Sequence, residues 1–168
     1  MINAGVKLFC ILVLMSLLNG CKPIYDSELY GQWFDRGTLL VEGDYTPVDH
    51  WAGEWRLVNI WAQWCKPCWQ EMPELNQFYA LQGPNDIKVL GYNFDQLQQA
   101  ELKQLKVEMN IQFPVLVSWP EIWQLPDVKG LPATLIIAPN NQLVKVLWGP
   151  QTLSSLHKNI DDAKRLHK

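Results

Sequence analysis

Basic clusters are missing from this chain of 168 residues. Fourteen Lys and Arg face seventeen Asp and Glu, a net charge of −3, and no stretch gathers positive charge. That sets nucleic-acid binding aside. Repeats and low-complexity tracts are missing too, and the length suits one domain with a real core. The longest apolar run, Leu8 to Leu18, covers about eleven residues where a membrane-spanning helix needs about 20. Histidine is scarce, at His50, His157 and His167. None is spaced to complete a zinc site with a pair of thiolates, so these read as surface histidines and no metal is expected.

What is present begins at the N-terminus. Lys7 and the apolar run after it have the shape of a signal peptide. Leu18-Asn19-Gly20-Cys21 resembles the lipobox of bacterial lipoproteins. The resemblance implies cleavage before Cys21, lipidation of its sulfur and acylation of its amine, more than the two signals that stable anchoring needs. The expected organisation is a lipoprotein signal peptide over 1–20, a lipidated tether over 21–37 and one folded domain over 38–168. An ordinary signal peptide with a chance cysteine is the plainer alternative. Losing the leader removes Lys7 and no acid, so the mature chain is one charge more acidic than the whole. Lys22, where an Asp would favour retention in the inner membrane, leans toward the outer one; inner versus outer stays open.

Four cysteines then sort themselves. Cys10 lies in the leader and Cys21 is the expected lipid acceptor, leaving Cys65 and Cys68 as the thiols of the folded domain. They follow an apolar strand-like run, Leu57 to Ala62, and precede a helical pattern. A strand that turns through Cys-x-x-Cys into a helix puts both sulfurs at a helix N-terminus, where unpaired N–H groups and the helix dipole stabilise a thiolate. In an oxidising compartment such a pair is catalytic, metal-binding or an inert staple.

The remaining elements follow from periodicity. Thr38 to Val41 and Gly43-Asp44 predict a short strand and turn within 38–52. Arg56 to Ala62 predicts a strand buried on both faces. A helix from Cys65 carries Met72, Leu75, Phe78 and Leu81 as one apolar stripe, with Pro73 inside it and a kink expected there. Gly83-Pro84-Asn85 ends it. Ile87 to Asn93 predicts a strand, and Leu97, Leu102, Leu105 and Met109 a second helix. Phe113 to Val117 is strand-like, and Trp119 to Trp123 predicts a helical turn near the surface. Ala133 to Ile137 and Leu143 to Trp148 form a hairpin about Pro139-Asn140-Asn141. Leu153, Leu156, Ile160 and Ala163 close the chain as a helix with Thr152 as N-cap. The order β-α-β-α-β-β-α is that of the thioredoxin fold: α/β, a central mixed sheet flanked by helices, here with extra N-terminal strands.

Three segments carry a family resemblance: Val58-Asn59-Ile60-Trp61-Ala62, Trp64-Cys65-Lys66-Pro67-Cys68 with Glu71 and Pro73, and Val128-Lys129-Gly130-Leu131-Pro132-Ala133-Thr134. The chain resembles the TlpA/ResA-type thiol:disulfide oxidoreductases of the thioredoxin superfamily over roughly residues 38–165. The resemblance implies that Cys65, the more exposed sulfur, attacks a disulfide and that Cys68 resolves the intermediate. It makes Glu71, one turn past Cys68, a proton carrier if burial raises its pKa. It makes Pro132 a cis proline opposite the cysteines, with Leu131 pairing to an extended substrate segment. Trp64 is expected over the sulfurs, limiting access, while Trp61 and Trp69 are core or rim. Structural readings stand beside these: a solvated Glu71, a trans turn proline, a packing tryptophan.

The activity implied is reduction of disulfides in extracytoplasmic partner proteins, with a membrane thiol-transfer protein as electron donor and no cofactor beyond the sulfur pair. A dedicated reductant of apocytochrome c is the nearest rival, although Ala133 stands where that branch usually has Glu. A copper-handling or non-catalytic lipoprotein is further off, since copper relatives carry Cys-x-x-x-Cys and a downstream histidine. No Pro-x-x-x-Thr-x-x-Cys pattern of a peroxidatic cysteine occurs.

Overall fold

The computed structural model describes residues 37–43, 45–47, 51, 53–83, 86–120, 122–123 and 125–167. The expected leader, Cys21 and the tether up to residue 36 lie outside them, as do Asp44, His50, Pro84, Asn85 and Glu121. A short antiparallel pair, β1 (Gly37–Leu39) and β2 (Tyr45–Pro47), comes first, with Thr38 opposite Thr46. The chain leaves β1 to reach the main sheet: Leu40 bridges Leu116, and the Val41 N–H donates to Val115 O at 2.9 Å.

That sheet holds β3 (Arg56–Trp61), β4 (Lys88–Asn93), β5 (Val115–Leu116), β6 (Ala133–Ile137) and β7 (Leu143–Trp148), in the order β5-β4-β3-β6-β7. β3 pairs parallel with β4 and antiparallel with β6, so the sheet is mixed and β3 is central. Every residue of β3 is buried. That is why its sequence reads as a continuous apolar run instead of alternating. Gly91 in β4 makes room at this centre, because a Cβ there would meet Phe113, Trp61 and Val115 at 3.1 to 3.2 Å.

Helices α1 (Lys66–Ala80), α2 (Gln99–Glu108) and α3 (Leu153–Leu166) all send buried side chains into the core cluster that holds Leu57 and Trp61. The other face of β3, with Val58 and Ile60, packs against Trp51, Tyr92, Leu116 and Trp123. This is the thioredoxin-like arrangement expected from the element order. Among the described residues no helix is long and apolar enough to cross a membrane.

Two expectations change. Leu81 is exposed, although Met72, Leu75 and Phe78 are buried. A spacing of three falls behind the helical turn by about 60° each time, so three such steps bring a side chain to the opposite face. Pro73 does not end α1, which runs from Lys66 to Ala80; the proline removes one N–H bond, to Trp69 O. Trp119 to Trp123 gives a turn, closed by the Trp123 N–H on Pro120 O at 2.9 Å. Trp123 is fully buried, not superficial, because Trp51 lies 5.5 Å and Trp119 5.8 Å from its ring.

Candidate active site

The chain leaves β3 at Trp61, and the Cys65 N–H turns back onto Ala62 O at 3.2 Å. Cys65 is the N-cap of α1, in extended conformation, and its Sγ accepts the Cys68 N–H at 3.3 Å. A sulfur thus takes one of the donors that a helix start leaves unpaired. Pro67, in the first turn, has no N–H to leave unpaired. No acidic side chain occupies that turn, so nothing there opposes a thiolate next to the positive end of the helix dipole.

Cys65 and Cys68 are joined in a disulfide, S–S 2.04 Å with Cα atoms 5.3 Å apart. Cys68 is wholly buried, as expected. Cys65 is the more exposed of the two, as expected, by a narrow margin of 4 % against 0 %. The bonded sulfurs sit at the edge of the core that also contains Ala62, Met72 and Leu75.

Glu71 follows one turn along the same helix and is 2 % exposed. Its Oε1 accepts the Asn59 Nδ2–H at 2.8 Å and its Oε2 accepts the Gln151 N–H at 2.9 Å. Burial pushes its carboxyl up from the ordinary 4.5 to about 7, while the bonds from Gln151 and Asn59 pull the other way. Removing a carboxylate from water disfavours the charged form, and neutral donors recover only part of the loss. The next carboxylate, Glu74, accepts the Leu153 N–H at 2.7 Å. The start of α3 is therefore tied to α1 through two acidic side chains.

Asn59, Thr134 and Gln151 had no role in the sequence reading. Asn59 and Thr134 are register partners on β3 and β6, both fully buried, and the Asn59 Nδ2 also donates to Thr134 Oγ1 at 3.1 Å. The signal was present: each is a polar residue inside a run that must be buried on both faces. For Gln151, which acts through its main chain, no side-chain signal exists.

The Leu131–Pro132 peptide bond is cis, as expected. Pro132 is buried and enters β6 at the end of the sheet where β3 finishes, since Ala133 faces Ile60. Pro132 O accepts the Gly149 N–H at 2.9 Å. Gly149 has φ +81°, a left-handed conformation that favours glycine, and two residues later the chain delivers the Gln151 N–H to Glu71. Leu131 is half-buried against the core.

Trp64 is 65 % exposed at the rim, not laid down against the core. Its Nε1–H donates to the Asp95 carboxylate at 3.0 and 3.2 Å, and its ring meets Phe94 edge-on at 6.4 Å. Trp69 is also at the rim, its Nε1–H on Gln63 O at 2.8 Å, whereas Trp61 is core. His157 and His167 are exposed on α3 and just beyond it.

Known proteins have similar sequences and folds. The AhpC/TSA family profile matches residues 40–146. The thiol-disulfide oxidoreductase ResA of Geobacillus thermodenitrificans strain NG80-2 is 23% identical over 150 residues, covering 81% of this chain and 86% of that protein. Among solved structures, a thiol:disulfide interchange protein of the thioredoxin family from Chlorobium tepidum TLS superposes with a TM-score of 0.63 at 21% identity, covering 76% of this chain and 91% of that one. The pneumococcal exposed lipoprotein thioredoxin Etrx1, from Streptococcus pneumoniae strain TIGR4, superposes with a TM-score of 0.60 at 19% identity, over 75% of this chain and 97% of that one.

Proposed function

This chain belongs to the AhpC/TSA family and is a thiol:disulfide oxidoreductase of the thioredoxin fold; from that premise we propose that it is a lipid-anchored, extracytoplasmic reductant of disulfides in partner proteins. The observation that carries the reading is the Cys65–Cys68 disulfide at the start of α1 with a buried, neutral-pH carboxyl one turn beneath it.

In the reduced form the Cys65 thiolate attacks one sulfur of a partner disulfide. A Cys65–partner disulfide forms, the partner's S–S bond breaks, and the departing partner thiolate takes a proton from solvent. Cys68 then gives its proton to the Glu71 carboxylate and attacks the Cys65 sulfur. The Cys65–Cys68 disulfide forms, and the second partner sulfur leaves as thiolate. Two electrons pass to the partner and the protein is oxidised. A membrane thiol-transfer protein returns it to the dithiol state, running the same steps backward with Glu71 as acid. Trp64 at the rim and Leu131 with Pro132 beside β3 are the surfaces against which an extended partner segment would lie.

The lipobox-like sequence ending in Cys21 supports anchoring, and a lipoprotein among the structural neighbours makes such an arrangement familiar for this fold. Reduction of insulin disulfides by the purified chain, with dithiothreitol as donor, tests the chemistry. Activity is expected to fall to background in Cys65→Ser, and undiminished activity in that variant refutes the mechanism. In cell fractions, Cys21→Ser is expected to release the protein from membranes; a variant that stays bound with its leader retained refutes the anchor.

A further inference from the structure

Glu71 has two dissimilar neighbours. On Oε2 stands the Gln151 backbone N–H, which can only donate. On Oε1 stands the Asn59 side-chain amide, which has a donating end and an accepting end of nearly the same shape. When Glu71 binds a proton, Oε2 stays occupied by a fixed donor, so the O–H belongs on Oε1 and faces Asn59. An N–H and an O–H pointed at one another make no bond.

Asn59 has the means to respond. Its Nδ2 donates twice, to Glu71 Oε1 at 2.8 Å and to Thr134 Oγ1 at 3.1 Å, while its Oδ1 is buried without a hydrogen-bond partner. Turning the amide end for end puts the accepting atom between Glu71 and Thr134. The Thr134 hydroxyl, which donates or accepts by rotation alone, then donates to it. The far end of the amide is buried and has no partner in the present orientation, so turning over breaks no hydrogen bond there. Burial and the bonds from Gln151 and Asn59 account for the perturbation of Glu71 among the described residues, and its helical neighbour Glu74 is engaged by the Leu153 N–H. Cys65 and Cys68, joined in the disulfide, carry no proton.

We propose that Asn59 is the positioning residue of Glu71, donating to the carboxylate through Nδ2 and turning over to accept from the carboxylic acid through Oδ1, with the Thr134 hydroxyl rotating in concert. Resting on the reading of Glu71 as proton carrier, this explains how a proton is loaded and unloaded inside a packed sheet without repacking. Only an amide end and a hydroxyl hydrogen exchange places; the heavy-atom outline is kept.

The test uses the oxidised, purified full-length chain, where thiol chemistry is silent. Glu71 is followed by its side-chain carboxyl resonance, and the Asn59 amide by its ¹⁵N–¹H signals and their contacts to the Thr134 methyl. The amide is expected to change with the same midpoint as Glu71, losing the Thr134 contacts on the acid side. Contacts that persist on both sides of that midpoint overturn the turning amide. Asn59→Leu keeps the approximate size and removes the donor without adding a charge; it is expected to tighten proton binding at Glu71 by about tenfold, a shift of roughly one pH unit. An unmoved midpoint in a folded variant overturns the assignment, and the wild-type measurement stands if the variant does not fold.

Activity separates this from the reading beneath it. With dithiothreitol and insulin, Asn59→Leu is expected to displace the pH profile in the wild-type background and to do nothing further in Glu71→Gln. If Glu71→Gln itself leaves the profile unchanged, the proton-carrier reading fails while the Asn59–Glu71 coupling is judged by its own resonances.

Discussion

Strand β3 buries two charge-bearing sites in opposite ways. At its start Arg56 is fully buried, its Nη1 on Asn141 Oδ1 at 2.6 Å, its Nη2 on Ala138 O, and its guanidinium 5.1 Å from the Trp123 ring centre. Burial draws its pKa down to about 10, with Glu54 acting in the opposite direction, so at neutral pH it keeps its charge. Three residues on and facing the other side of the sheet, Asn59 meets Glu71, whose carboxyl burial pushes up to about 7. The permanent charge is fastened by a carbonyl, an amide oxygen and an aromatic face. The exchangeable one is left with neutral donors and no counter-ion. A counter-ion would hold Glu71 ionised and prevent the proton transfer proposed for it.

Three measurements press on that contrast, beginning with the largest effect. Arg56→Ala should lower unfolding stability in urea by about 3 kcal/mol or more, from the lost volume and the stranded partners Ala138 O and Asn141. The pH profile of disulfide reduction should keep its midpoint. A shifted midpoint would mean that the two ends of β3 are coupled and the contrast is false.

Next comes the pH dependence of stability at Glu71. Its folded pKa lies above the unfolded one, so the native state holds a proton that the unfolded chain has released between pH 4.5 and about 7. Stability contributed by this group therefore falls as pH rises through that window, by about 3 kcal/mol in all, and the full cost is present above it. Glu71→Gln should remove that slope. Wild type minus variant, followed by denaturant unfolding from pH 4 to pH 8, gives the curve, and a difference independent of pH would place an unperturbed carboxyl at this site.

The smallest effect is expected at Thr152, whose hydroxyl accepts the Ser155 N–H at 3.2 Å at the start of α3. Thr152→Ala should cost about 1 kcal/mol and leave the Glu71 midpoint in place, because the Gln151 N–H that reaches Glu71 belongs to the preceding main chain. A moved midpoint would show that the cap, too, serves the site.

The legible parts of this molecule are those written within one turn or one strand. Cys65, Cys68 and Glu71 lie on one helix at spacings of three, and the cis proline could be expected from the Gly130-Leu131-Pro132 segment. Thr152 announced its helix in the ordinary way. What escaped was assembled across the chain. Nothing near residue 59 tells that Thr134 will lie opposite it in the sheet, and Gln151 contributes an N–H that any residue there would offer except proline. Trp123 was misplaced for the same reason, since its burial depends on Trp51, Trp119 and Arg56 arriving from elsewhere. Leu81 differs in kind: a run of threes keeps no single face of an α-helix, and at Leu81 the turn has passed to the exposed side.

A carboxyl that titrates near neutrality makes any preparation of this protein a mixture. With burial raising its pKa to about 7, Glu71 is present in both protonated and charged forms near neutral pH. A rate measured in one buffer is then an average over two populations, weighted by the experimenter's choice of pH. Two laboratories a single pH unit apart would be timing differently composed ensembles of the same sequence.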